Sequence, residues 1–102
     1  MQNWILLALL EKKMGRLDNC FEICEKVISM DPNNAGAYEL KGDLYKMNPS
    51  LIEEAFIQYS RAVELNPESS SGISSLGDVL KFKGKLNEAL QHYKKALSLN
   101  VN

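Results

Sequence analysis

Apolar residues recur at helical spacing in six stretches of the chain, 3–14, 17–30, 37–47, 52–65, 72–83 and 86–99. No stretch alternates apolar and polar residues with the period of two that a half-buried strand needs. In the last stretch Leu86, Ala89, Leu90, Tyr93, Ala96 and Leu97 form one stripe at i, i+3, i+4 and i+7. The pattern predicts six helices and no sheet. Gly15 and Gly84 fall between paired stretches, where a positive φ ends a helix. Asn48-Pro49-Ser50 takes that place between the third and fourth stretches, and Ser50 with Glu53 has the S-x-x-E spacing of a capping box. Pro32 and Pro67 stand where the chain must leave one helix before starting another.

The pattern also repeats every 34 or 35 residues. Pro32 and Pro67 mark the period, and the third place falls at Val101. Three units follow, 1–34, 35–69 and 70–102, the second with one extra residue between Lys46 and Ile52. Superimposed, they align Trp4, Tyr38 and Ile73; Ala8, Gly42 and Gly77; Cys20, Ala55 and Ala89; Cys24, Tyr59 and Tyr93; and Val27, Ala62 and Ala96. Small residues in these columns let paired helices approach closely, and a large side chain there would overpack the contact. Tandem units of this size form helix-pair solenoids, in which each unit buries its face against its neighbours.

These columns resemble the tetratricopeptide repeat, whose pattern is an aromatic, Leu-Gly, Tyr, Ala, an aromatic, Ala and Pro at fixed offsets. The third unit matches with Ile73, Leu76, Gly77, Leu80, Gly84, Ala89, Tyr93 and Ala96, and the second with Tyr38, Gly42, Tyr45, Ala55, Tyr59, Ala62 and Pro67. The first unit departs most, with Trp4, Leu7, Ala8, Gly15, Cys20, Cys24, Val27 and Pro32. The resemblance implies an all-α, right-handed antiparallel helix-pair superhelix of six helices. It also implies a protein-interaction scaffold whose concave groove takes a peptide or helix within a larger assembly. A regulatory or targeting arm of an enzyme whose catalytic part lies elsewhere, and a self-associating structural repeat, are the alternatives.

On that resemblance the concave face comprises Gln2, Ile5, Leu6, Leu9, Lys12, Glu39, Asp43, Lys46, Ser74, Ser75, Asp78 and Lys81. Lys12, Lys46 and Lys81 share one column, and Asp43 and Asp78 precede the last two by three residues, the spacing of within-helix ion pairs. A row of charges selecting an acidic or mixed-charge ligand is the functional reading. Trp4, Leu7 and Ala8 are expected to pack inside the first unit, leaving Ile5, Leu6 and Leu9 on the groove and in need of cover. Chaperone adaptors of this family hold heat-shock-protein C-terminal carboxylates through Lys, Asn and Arg. The equivalent places here hold Ile5, Leu9, Leu40, Ser71 and Ser75, so that partner is not expected. The asparagine ladder of sugar-transferring relatives is likewise replaced, by Leu6, Leu40 and Ser75.

Composition narrows the functional classes. The chain has 102 residues, 45% of them apolar, enough for a core. A net charge of −1 lacks the basic face that nucleic acid requires. The run Trp4-Ile5-Leu6-Leu7-Ala8-Leu9-Leu10 has no basic stretch before it and no A-x-A-like site after it, so no secretory signal is expected. It is also too short to span a membrane. Cys20 and Cys24 lie in core columns with no second Cys pair, and an i, i+4 pair suits an unstrained disulfide poorly. Buried free thiols and an intracellular, cytoplasmic setting are expected, with no metal and no cofactor. His92, the only histidine, is expected in solvent beside Lys94 and Lys95. No nucleophile or carboxylate pair accompanies it, so no enzyme is expected. One of Ser69, Ser70, Ser71, Ser74 and Ser75 should cap the fifth helix, where an added phosphate would be favoured. The sixth helix carries its apolar stripe to the chain's end without a polar capping helix. Such an edge suits a segment of a longer array or self-association.

Overall fold

The short turns between the six periodic stretches force consecutive helices to run antiparallel, and the computed structural model of the protein shows the resulting three helix pairs. It describes residues 2–100; Val101, the third boundary position, lies outside them. Helix α1 spans Gln2–Lys13 and α2 Leu17–Met30; α3 spans Ala35–Lys46 and α4 Ile52–Leu65; α5 spans Ser70–Phe82 and α6 Leu86–Leu99. No strand occurs among the described residues. Helices pack within each pair, and α3 covers α2 as α5 covers α4. The stack measures 35 × 33 × 23 Å.

Local chemistry sets the boundaries. Gly15 and Gly84 have φ of 81° and 80°, the left-handed turn that closes the first and third pairs. Asn34 and Ser69 cap α3 and α5, accepting hydrogen bonds from the Ala37 and Gly72 amides at 3.1 Å. The second pair differs from the expected capping box. The extra residue forms a 3-10 turn, Pro49–Leu51, whose cap is Asn48, accepting from the Ser50 amide at 3.1 Å and from its hydroxyl at 2.8 Å. Ser50 therefore lies one residue too early to cap α4, which starts after Leu51 without a side-chain cap.

The core follows the columns. Ala8, Cys20, Cys24 and Leu40 form one cluster, and Ala55, Tyr59, Leu76 and Val79 a second. Each cluster draws on two adjacent pairs, so no pair completes its core alone. Glycine is needed where tyrosine crosses. A Cβ on Gly42 would lie 2.7 Å from the Tyr59 ring, and one on Gly77 3.0 Å from Tyr93. In the first pair Ala8 and Cys24 fill the same contact.

Candidate functional site

The first helix of each pair presents one lysine of the shared column near its end, but the lysines do not pair within their own helices. The Lys12 ammonium lies 3.0 Å from Asp43, and Lys46 lies 3.4 Å from Asp78. Each lysine reaches forward to the aspartate of the next pair. The same aspartates accept a second hydrogen bond from their own pair's second helix, Asp43 from the Tyr59 hydroxyl and Asp78 from Tyr93. Glycine makes room for the ring, the ring delivers a phenol, and the phenol and a lysine share one carboxylate. Burial and the bond to Asp43 raise the Tyr59 phenol well above its ordinary range, while the bond to Asp78 and burial push Tyr93 up to about 12. Both stay protonated donors at neutral pH. Lys81, the third of the column, is exposed, and among the described residues no carboxylate reaches it.

Between the second and third pairs this charged row borders a cleft of about 440 Å³ lined by Lys46, Pro49, Ile52, Asp78, Lys81 and Phe82. Phe82 is exposed, as is Met47 in the same column. These apolar residues were absent from the groove expected from sequence. The column Lys13, Met47 and Phe82, one residue past the lysines, was the available signal, but its first member is charged.

The other expected groove residues are spread over several surfaces. Lys12, Asp43, Lys46, Asp78 and Lys81 line one row. Ile5 is half-buried against the first cluster, with its methyls 3.9–4.0 Å from where a Gly36 Cβ would sit. Leu6 shares the column of Leu40, which is buried against the preceding pair, and Leu6 itself is exposed. Leu9 occupies the aspartate column and is partly exposed. Glu39 accepts from the Ser71 hydroxyl at 2.9 Å and from Ser69 at 3.4 Å, joining the second and third pairs. A phosphate on either serine would therefore face a carboxylate. Ser74 lines a separate cleft beside Tyr93 and Leu97, and Ser75 lies next to Tyr59. Gln2 begins α1, and its side chain lies outside the described residues. Trp4 and Leu7, expected inside the first pair, are both partly exposed, while Ala8 is fully buried. Leu7 falls in the column of Lys41 and Leu76, which pack backward onto the preceding pair, so its side chain points away from α2.

Other candidate chemistry has structural explanations. Cys20 and Cys24 are fully buried free thiols. Desolvation raises both, Cys24 to about 12, so neither is a thiolate at neutral pH. His92 is partly exposed, its Nδ1–H donating to the Glu88 carbonyl at 2.9 Å. Among the described residues no three His, Cys, Asp or Glu side chains gather as a metal site, and no helix is long and apolar enough to cross a membrane.

A family model described as tetratricopeptide repeat matches residues 2–34 and 74–100, passing over the whole second unit, which holds the inserted 3-10 turn. The human protein O-mannosyl-transferase TMTC1 is 26% identical over 98 residues, which is 92% of this chain and 11% of that protein. The chain thus spans about a tenth of the length of that curated relative. Among solved structures, the second repeat domain of Spaghetti (RPAP3), bound to the HSP90 peptide SRMEEVD, superimposes with a TM-score of 0.85 at 26% identity. That match covers 95% of this chain and 89% of the other. MamA superimposes with a TM-score of 0.82 at 20% identity, over 97% of this chain and 57% of its own. The chain belongs to the tetratricopeptide repeat family.

Proposed function

We propose that this tetratricopeptide repeat chain is a non-catalytic protein-interaction scaffold that holds a peptide or helix along the face of its first helices. The observation that carries this reading is the cleft where Phe82, Ile52 and Pro49 meet Lys46, Asp78 and Lys81. An apolar anchor beside charges of both signs suits an amphipathic segment. Lys12 and Lys46 are already neutralised by aspartates, which leaves Lys81 to meet ligand charge. The ligand is accordingly of mixed charge with an apolar residue for Phe82.

The Spaghetti domain binds an acidic HSP90 peptide, and the same ligand is not proposed here. Ile5 and Leu40 are packed into the core and Ser71 is held by Glu39. These positions give a terminal carboxylate no cation or amide to bind. Buried free thiols support a reducing, cytoplasmic setting.

Peptide display against the folded chain tests both points. Enriched sequences should carry an apolar anchor and mixed charge, and Phe82→Ser with Lys81→Glu should abolish their binding while helicity holds. SRMEEVD should not bind above background. Binding of that peptide, or enrichment that survives both substitutions, would overturn the proposal.

Similarity to an O-mannosyl-transferase over a tenth of its length favours a second reading, in which the repeats are an arm of an enzyme whose catalytic part lies outside these residues. The full-length gene decides it: a transferase domain in the same reading frame supports the arm, and its absence removes it.

A further inference from the structure

From the column of Lys13, Met47 and Phe82 to that of Leu17, Ile52 and Leu86, three residues join the first and third pairs and four join the second. The two short turns pivot on Gly15 and Gly84 at positive φ. The long one is closed as a 3-10 turn by Asn48, which holds both the amide and the hydroxyl of Ser50. Pro49 therefore stands exposed in a turn of fixed shape where the other pairs have glycine. It lines the cleft of about 440 Å³ between the second and third pairs. Ile52, half-buried against the second core cluster, is held at the same cleft, and Phe82 lines it from the third pair. Both flanking pairs are present, so the cleft does not depend on where the stack stops. Nor does the exposure of Phe82. Met47, its column mate, has a pair packed after it and is still 54% exposed, against 58% for Phe82. The ion pair beside the cleft is the more open of the two that join neighbouring pairs. Lys46 and Asp78 are 3.4 Å apart with side chains 34% and 46% exposed; Lys12 and Asp43 are 3.0 Å apart with side chains 27% and 23% exposed. With Lys81, the rim carries two ammonium groups and one carboxylate.

We infer that the inserted turn makes this cleft an aromatic-anchor pocket, taking a Phe, Tyr or Trp side chain at Pro49 and Phe82 from a partner segment that carries a carboxylate beside that ring. The inference rests on the scaffold reading above and names what its groove selects. Pro49 and Phe82 both offer flat rings, and an aromatic side chain gains from stacking on them beyond the area it buries. A branched aliphatic side chain fills the same space without that gain. The Pro49 ring is fixed by its own φ and by the closed turn, so seating the anchor costs little ordering on this side. The stems of Lys46 and Lys81 add apolar surface while their ammonium groups stay at the rim. The excess of positive charge there favours an acidic neighbour to the ring and disfavours a basic one. A glycine turn of the kind in the first and third pairs would remove the Pro49 side and leave an open groove for any apolar residue. The choice of anchor thus belongs to the insertion, not to the repeat.

The probe is a displayed library of random peptides selected on the intact chain, with the enriched peptides resynthesised and titrated. They should share an aromatic residue with Asp or Glu close to it. Replacing that aromatic residue with leucine should weaken binding about fivefold. Replacing the acidic residue with its amide should weaken it about threefold. Two variants then ask whether the turn makes the choice. Pro49→Ala keeps the 3-10 turn and should remove most of the aromatic advantage. Exchanging residues 48–51 for Asn-Gly-Ser gives the length of the other two turns, and this chain should bind the aromatic and leucine peptides alike while its helicity holds. If the shortened chain does not fold, Pro49→Ala decides alone. Enrichment of aliphatic anchors, or an aromatic preference that survives in either folded variant, would overturn the inference and leave the scaffold reading standing. A selection that enriches no peptide would overturn both.

Discussion

The first helix pair and the two that follow bring two helices to close contact by opposite allocations of volume. In the first, alanine faces a short side chain, Ala8 against Cys24 in one cluster. In the others a glycine yields its space to a ring, Gly42 to Tyr59 and Gly77 to Tyr93. The choice has an electrostatic consequence. A tyrosine brings a hydroxyl to the rim of the contact, where Asp43 and Asp78 accept it and also bind a lysine from the preceding pair. Cysteine brings nothing polar, and the matching column there holds Leu9. Packing inside a pair thus decides whether that pair can be joined by charge to the one before it. The first and third pairs therefore differ in charge. In the first pair Leu6 and Leu10 are both exposed, and in the third no carboxylate among the described residues reaches Lys81.

The sharpest break in this comparison is the volume exchange itself. Tyr59 is fully buried, so Tyr59→Cys should cost about 3–5 kcal/mol. Gly42→Ala, driving a Cβ into the ring, should cost about 1–3 kcal/mol. Because each relieves the other, the double variant should lose clearly less than the sum in urea denaturation. Additive losses would mean the two columns do not compensate.

Next in size is the carboxylate. Asp43→Leu leaves the buried Tyr59 hydroxyl without a partner and should cost about 1–3 kcal/mol. Asp78→Leu should cost less, because Tyr93 is only half-buried and water can replace the carboxylate. Equal losses would argue that the bond matters equally at both depths.

Smaller still are the lysines. Lys12→Ala should cost about 0.5–1 kcal/mol, since its pair with Asp43 is partly shielded. Lys81→Ala should stay within about 0.5 kcal/mol. Thermal melts of the two variants separate these outcomes.

The last contrast is silent at neutral pH. Folding raises the thiols of the first pair and the phenols of the other two above their ordinary values of 9.0 and 10.0. The folded chain then holds protons that the unfolded chain releases, so stability is complete below about pH 9 and declines as pH rises toward 12. Replacing Cys20 and Cys24 with alanine should remove the part of the decline that begins near pH 9. Tyr93→Phe should remove part of that beginning near pH 10. A profile flat to pH 11 would contradict the burial of these groups.

Much of the fold was legible because the repeat supplies the same information three times. Helix spans, the positive-φ glycines and the buried cysteine column all follow from periodicity and column identity. The failures arose where one residue answers to two neighbours. Asp78 lies three before Lys81, and spacing alone selects that pair; across the stack Lys46 comes within 3.4 Å. Ile5 turns toward Gly36 of the next pair, a direction that a single-helix reading does not carry. Ser50 had the right spacing to Glu53, but Asn48 binds both its amide and its hydroxyl. Phe82 escaped notice because its column begins with a lysine. The charged row was readable as residues, and its wiring was not.

The joining of pairs through forward-reaching lysines is tested most directly by two double-mutant cycles on one aspartate. Asp78→Ala is combined with Lys46→Ala in one cycle and with Lys81→Ala in the other, each read as folding free energy in urea. The interaction across pairs predicts a coupling of about 0.5 kcal/mol or more between Asp78 and Lys46 and none between Asp78 and Lys81. A coupling confined to Asp78 and Lys81 would contradict it, leaving the lysine column a set of ordinary within-helix ion pairs.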